Sequence, residues 1–168
     1  MYDWEIGDPS VRTWVRLRQT LKALERAIQM QLAGSGATIP QLDILETLAA
    51  SKAQLSPSEI AMHMFRERQS TSSVLNKMQK SGYITKVRQG RDQREVKIKI
   101  QPEGERVMRR AAWATYAYGP MILKSSLCEN EMVQLDGLLK KVRDKVLEEL
   151  GLALQRQPAT NHFPPGLG

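Results

Sequence analysis

Ten cations crowd residues 66–100: Arg66, Arg68, Lys77, Lys80, Lys86, Arg88, Arg91, Arg94, Lys97 and Lys99, opposed only by Glu67, Asp92 and Glu95. Ten minus three leaves this segment at +7, the formal charge of the whole chain, so everything outside it sums to zero. A basic excess confined to one stretch of an otherwise neutral protein is the footprint of a surface that meets a polyanion. The plainer alternative is a solvated basic face. The residues between the cations bear on that choice. No acid occurs from 68 to 91, and Gln69, Ser70, Ser72, Ser73 and Asn76 fill the intervals. Short hydroxyls approach phosphates and bases closely, and carboxamides match the hydrogen-bonding edge of adenine or contact a phosphate instead.

Other chemistries have little material. The two histidines, His63 and His162, stand far apart, and the single cysteine, Cys128, excludes an internal disulfide or a multi-cysteine metal site. There is no glycine-rich phosphate loop, no metal-ligand cluster and no pairing of a nucleophile with histidine, so no enzyme, metal or cofactor is expected. The opening Met1-Tyr2-Asp3-Trp4-Glu5 has neither a basic start nor an apolar run, and no secretory leader is expected. Nothing approaches the ~18 apolar residues of a spanning helix, so the chain is expected to be cytoplasmic and to have no membrane partner.

Periodicity supplies the elements that must position the basic segment. Asp8-Pro9 reads as a cap and first helical residue, and Val11, Trp14, Leu17, Leu21, Leu24, Ile28 and Leu32 form one apolar stripe ended by Gly34-Ser35-Gly36. A second helix follows Ile39-Pro40, with Leu42, Leu45 and Leu48 spaced by three. Ser56-Pro57-Ser58-Glu59 is the sharpest start in the chain: Ser56 caps, Pro57 suits the first turn, and Glu59 reaches back to the Ser56 amide. This short helix turns through Phe65–Arg68 into a fourth over 69–81, closed by Ser81-Gly82. Val96, Ile98 and Ile100 then alternate with Glu95, Lys97 and Lys99, a half-buried strand that pairs with Tyr83–Arg88 across the tip Gln89-Gly90-Arg91-Asp92-Gln93. Pro102 opens a fifth helix, interrupted at Gly119-Pro120. A last helix over 129–150 carries the stripe Met132, Leu135, Leu139, Val142, Val146 and Leu150. The Pro- and Gly-rich residues 151–168 read as a tail.

Two short helices and a basic hairpin make a winged helix-turn-helix. In the fourth helix Thr71, Val74, Leu75 and Met78 share an inward face, which leaves Gln69, Ser70, Ser72, Ser73, Asn76, Lys77 and Lys80 for a major groove that admits one helix. At the hairpin, Arg88, Arg91 and Arg94 suit a phosphate backbone or a narrow minor groove. Asp92 either holds a neighbouring arginine in a bidentate pair or simply forms the turn.

In the same register, Pro40–Leu45, Leu55–Ala61, Gln69–Gly82 and Asp92-Gln93-Arg94 with Gly104 beyond resemble the MarR family of transcriptional regulators over residues 38–106. The resemblance implies a mainly α fold with a small β-hairpin wing: an N-terminal dimerisation helix (1–37), a winged helix-turn-helix domain (38–101), C-terminal dimerisation helices (102–150) and the tail. It implies a homodimer whose terminal helices interlock and which reads a palindromic double-stranded DNA operator, as a sequence-specific regulator and a repressor. Arg94 becomes the wing arginine, Asp92 its positioning partner, and Ser56 and Ser58 candidate phosphate contacts. The rival is a winged-helix module for non-specific DNA or for protein. Four departures stand out: Phe65-Arg66 where the family has glycine and an apolar residue, Ser73 at a position often held by arginine, Gln101 for a capping threonine, and Cys128 for a capping serine or threonine.

Regulation is less sharply written. The family's small aromatic or acidic effectors sit between dimerisation helices and winged domain, which makes Trp14, Arg18, Trp113 and Tyr116 candidate ligand contacts, with core or interface packing as the alternative. Cys128 at a helix start is a candidate redox thiol, opposed by Glu129 and Glu131, which repel a thiolate.

Overall fold

A computed structural model of the chain describes residues 7–51, 54–89 and 95–151. The elements in order are α1 (Pro9–Gln31), α2 (Ile39–Ala50), α3 (Pro57–His63), α4 (Arg68–Lys80), β1 (Ile84–Gln89), β2 (Glu95–Ile100), α5 (Pro102–Ala112), a π-helical stretch Trp113–Tyr118, α6 (Gly119–Ser126) and α7 (Glu129–Glu149). Two compact units result, the first ending at Thr115 and the second beginning at Tyr116.

The helix starts are set by local hydrogen bonding. Asp8 accepts from the amides of Ser10 and Val11 at 2.7 and 3.4 Å, with Pro9 in the first turn of α1. At α3 the reciprocal box forms: the Ser56 hydroxyl accepts from the Glu59 amide at 3.3 Å, and Glu59 Oε2 accepts from the Ser56 amide at 2.6 Å. The same Glu59 oxygen accepts from Lys97 Nζ on β2 at 3.3 Å. Gln101, before α5, makes no side-chain cap; its amide donates instead to the Tyr83 carbonyl at 2.9 Å.

The helix-turn-helix is closed by two left-handed residues. Phe65, at φ 50°, is the non-glycine residue of positive φ among those described. It adopts in the α3–α4 turn a backbone conformation natural to glycine, at a steric cost of about 1–2 kcal/mol, and α4 starts at Arg68, one residue earlier than its periodicity suggested. At the other end Gly82, at φ 72°, lets the Tyr83 amide reach back to the Met78 carbonyl at 2.9 Å.

The strands pair antiparallel from Ile84 opposite Ile100 to Gln89 opposite Glu95, one residue beyond the expected start. Their inner face is Ile84 and Ile98, both buried with Ile44, Leu45, Leu48, Leu55, Ile60, Leu75, Met78 and Val107 in a core that all of α2 to α5 share. Leu55 ties the start of α3 to the wing, its carbonyl accepting from the Ile98 amide at 2.8 Å. A second cluster of Leu32, Leu42, Ala111 and Ala114 seats the end of α1 on α2 and α5. The irregularity expected at Gly119-Pro120 lies upstream, as the π-helical stretch, and Pro120 falls in the first turn of α6. Proline supplies no amide and crowds the carbonyl four residues back, so a widened preceding turn accommodates it. In the second unit, Glu131 accepts from the Cys128 amide at 2.8 Å and starts α7.

The Glu59 contacts have a pH signature. Hydrogen bonds from Ser56, with smaller contributions from Lys97, lower its pKa from 4.5 to about 2. The folded value lies below the unfolded one, so this stabilisation is complete above pH 4.5 and is lost as pH falls from there towards 2. The carboxylate is partly open to water, which screens its ion pair, so its net worth is that of an ordinary helix cap, about 1 kcal/mol. Glu59→Gln, which keeps an acceptor for the Ser56 amide but removes the charge, is expected to lower stability by less than about 1 kcal/mol at pH 7 and to flatten the acid limb. Urea midpoints measured from pH 7 to 2.5 check both; parallel curves for the two proteins would contradict the assignment.

Candidate nucleic-acid interface

The two faces of α4 separate as its residue types require. Thr71, Leu75 and Met78 are buried and Val74 packs partly against the core. Gln69, Ser70, Ser72, Ser73, Asn76, Lys77 and Lys80 are all exposed. Burial of three side chains on one stripe fixes the roll of the helix, and that roll presents all seven polar residues singled out in this helix to solvent. Lys77 and Lys80 fall in its last turn, where cations also complement the helix dipole.

The remaining predicted contacts are placed unequally. Ser58 is exposed at the start of α3, whereas Ser56 is half-buried and its oxygen is engaged in the cap. Arg88 is exposed on β1 opposite Val96. Arg91, Asp92 and Arg94 lie outside the described residues, so the Arg94–Asp92 pair has no geometry here.

The ten cations do not act alike. Lys97 is mostly covered and bridges Glu95 at 2.8 Å and Glu59 at 3.3 Å. Arg66 bears electrostatically on Asp43 of α2, whose pKa is raised by burial, an effect the guanidinium partly offsets. These two cations serve the fold's own acids. Lys86, not among the residues singled out for DNA contact, reaches from β1 to α4 and donates to Asn76 Oδ1 at 2.6 Å. Its signal in the sequence is only that it is a cation with no acid near it in the chain.

Of the ligand candidates, Trp14 and Arg18 are exposed one turn apart on α1. Arg18 lines an open cavity of about 220 Å³ with Val15, Gln19 and Lys22. Trp113 is exposed and Tyr116 half-buried within the π-helical stretch. Cys128 is exposed at the start of α7. Among the described residues no group of three or more His, Cys, Asp or Glu side chains is placed to hold a metal ion, and no helix is long and apolar enough to cross a membrane.

Residues 35–95, which span α2 to the first residue of β2, match the model of the MarR family. This winged segment, about a third of the chain, is similar to the MarR family. No curated protein matches the chain in sequence. Among solved structures, it resembles the organohalide-sensing transcriptional regulator RdhR in its ligand-free form, with a TM-score of 0.81 and 21% identity over 95% of this chain and 96% of that one. The 2,4-dichlorophenol-bound form of the same regulator gives 0.80 and 22% over the same shares. AbsC, a MarR-family regulator from Streptomyces coelicolor, gives 0.75 and 18% over 86% of this chain and 98% of that one. Identities this low establish the fold alone. That fold is the MarR-like winged helix-turn-helix with its flanking helices.

Proposed function

We propose that this protein is a sequence-specific DNA-binding transcriptional regulator, a repressor, that meets a palindromic operator as a homodimer. The observation that carries the reading is α4: nine polar side chains, none acidic, exposed on one helix of a winged domain similar to the MarR family. Phosphate contacts from Lys77, Lys80, Arg88, Ser58 and the wing cations Arg91 and Arg94 supply affinity. Gln69, Ser70, Ser72, Ser73 and Asn76 supply base selectivity from the major groove.

The dimer is supported by what a single chain leaves uncovered. Val11, Trp14 and Leu21 on α1, and Val133, Leu138, Leu139, Val142 and Val146 on α7, all remain exposed. Recurring apolar residues at helical spacing on two long helices mark an association surface. A regulator of the same fold binds 2,4-dichlorophenol, and Trp14, Arg18, Trp113 and Tyr116 remain the candidates to meet a small aromatic or acidic ligand in this chain.

Salt dependence tests the interface. Each neutralised phosphate adds about −0.9 to the slope of log affinity against log salt. Lys77→Ala or Lys80→Ala removes one contact per subunit, so each is expected to lessen the slope by about 2 for a dimer on duplex DNA. Fluorescence anisotropy with a labelled duplex measures it. Slopes equal to that of the unsubstituted protein would take this end of α4 off the DNA.

A further inference from the structure

We propose that Lys86 positions Asn76 so that the pair presents only hydrogen-bond donors to the major groove and selects guanine at one position of each half-site. This rests on the DNA-binding reading above and names what one part of that surface recognises.

The two side chains come from different elements, α4 and β1, and meet at 2.6 Å between Lys86 Nζ and Asn76 Oδ1. An ammonium has donors and no acceptor, so the oxygen end of the carboxamide is the end turned to β1, and the amino end is turned away from it. Among the described residues Lys86 makes no ion pair that would compete for its charge. Residues 68–91 hold no acid, so Asn76 is the acceptor that its own neighbourhood supplies. Asn76 itself is exposed and shares its side of α4 with Ser72 and Ser73, one turn before it, and Lys80, one turn after.

An unassisted asparagine matches adenine, taking the N6 amino hydrogen on its oxygen and giving a hydrogen to N7. With a cation on that oxygen, the adenine amino group meets a positive charge as it approaches, and so does the amino group of cytosine. Guanine offers two acceptors, O6 and N7, on the same edge. With Asn76 Oδ1 occupied by Lys86, the amino group of Asn76 and the Lys86 ammonium leave the pair with donors and no free amide acceptor, which matches an edge of two acceptors. Lys86 therefore supplies one of the two donors and, by occupying Asn76 Oδ1, changes what Asn76 reads.

The test is selection of bound fragments from a random duplex library by the full chain, by Asn76→Ala and by Lys86→Met, which keeps most of the stem and removes the charge. Asn76→Ala is expected to lose preference at one position per half-site. At that position the unsubstituted protein is expected to select guanine over adenine by about tenfold or more, and Lys86→Met to move the preference to adenine. Adenine at that position in the unsubstituted protein, an unchanged preference in Lys86→Met, or no position lost in Asn76→Ala each overturns the proposal while leaving the regulator reading intact. Recovery of no shared sequence by the unsubstituted protein overturns both.

Discussion

Replacing Gly104 with alanine is expected to destabilise the winged domain by about 2–3 kcal/mol, a large fraction of the stability of a domain this size. Gly104 lies in the first turn of α5, and a β-carbon there would stand 2.2 Å from the Tyr83 carbonyl oxygen, 3.1 Å from its carbon and 3.0 Å from Ile100 Cγ2. No rotamer change relieves an overlap with backbone. Tyr83 cannot retreat freely, because its carbonyl accepts from the Gln101 amide at 2.9 Å and its hydroxyl donates to the Gly36 carbonyl at 2.7 Å. The first turn of α5 must lift away from the sheet, opening the contact between Ile100 and the core. Alanine gains up to about 1 kcal/mol of helix propensity over glycine, which is smaller than the overlap costs. Urea denaturation followed by far-ultraviolet circular dichroism measures the difference. A midpoint equal to that of the unsubstituted protein would mean that α5 does not approach β1 as closely as 2.2 Å implies.

Leu139→Asp is expected to convert the proposed dimer to a monomer at micromolar concentration and to weaken binding to a palindromic duplex at least about 100-fold. Leu139 is 46% exposed in a single chain, within a run of exposed apolar residues that continues through Val142 and Val146 along α7. Two-fold symmetry places the new carboxylate in the interface twice, and an unpaired charge removed from water costs several kcal/mol. Separating the subunits also removes the effective concentration by which the first bound half-site delivers the second, commonly worth about 10²–10⁴ in affinity. Light scattering gives the mass and anisotropy the affinity. A variant that stays dimeric would move the interface away from this face of α7.

The difference between what the sequence disclosed and what it withheld is one of range. The box at Ser56 and Glu59 is legible because its partners are three residues apart and every bond lies within one turn. The stripe of Thr71, Leu75 and Met78 is legible because the helical period alone puts these residues together, and that stripe sets which side of α4 faces out. Contacts between elements carry no such mark. Lys97 meets Glu59 across 38 residues, and Lys86 meets Asn76 only because β1 packs beside α4. The same holds for Gly104, which reads as an ordinary helix-start glycine until the Tyr83 carbonyl is found against it. Phe65 shows a local rule giving way: residue type argues against a positive φ, and the turn adopts 50° there because α3 and α4 must both bury their inner faces. The local backbone of Trp113 and Tyr116 was not legible, since periodicity does not announce a π-helical stretch.

Selection from a random duplex library at ~150 mM salt, where non-specific binding is suppressed, tests the central claim most directly. A dimer that sets two copies of α4 into successive major grooves is expected to recover one inverted repeat, its half-sites about 10 base pairs apart. A bound pool with no shared sequence would contradict the account and leave a winged domain that binds DNA without reading it.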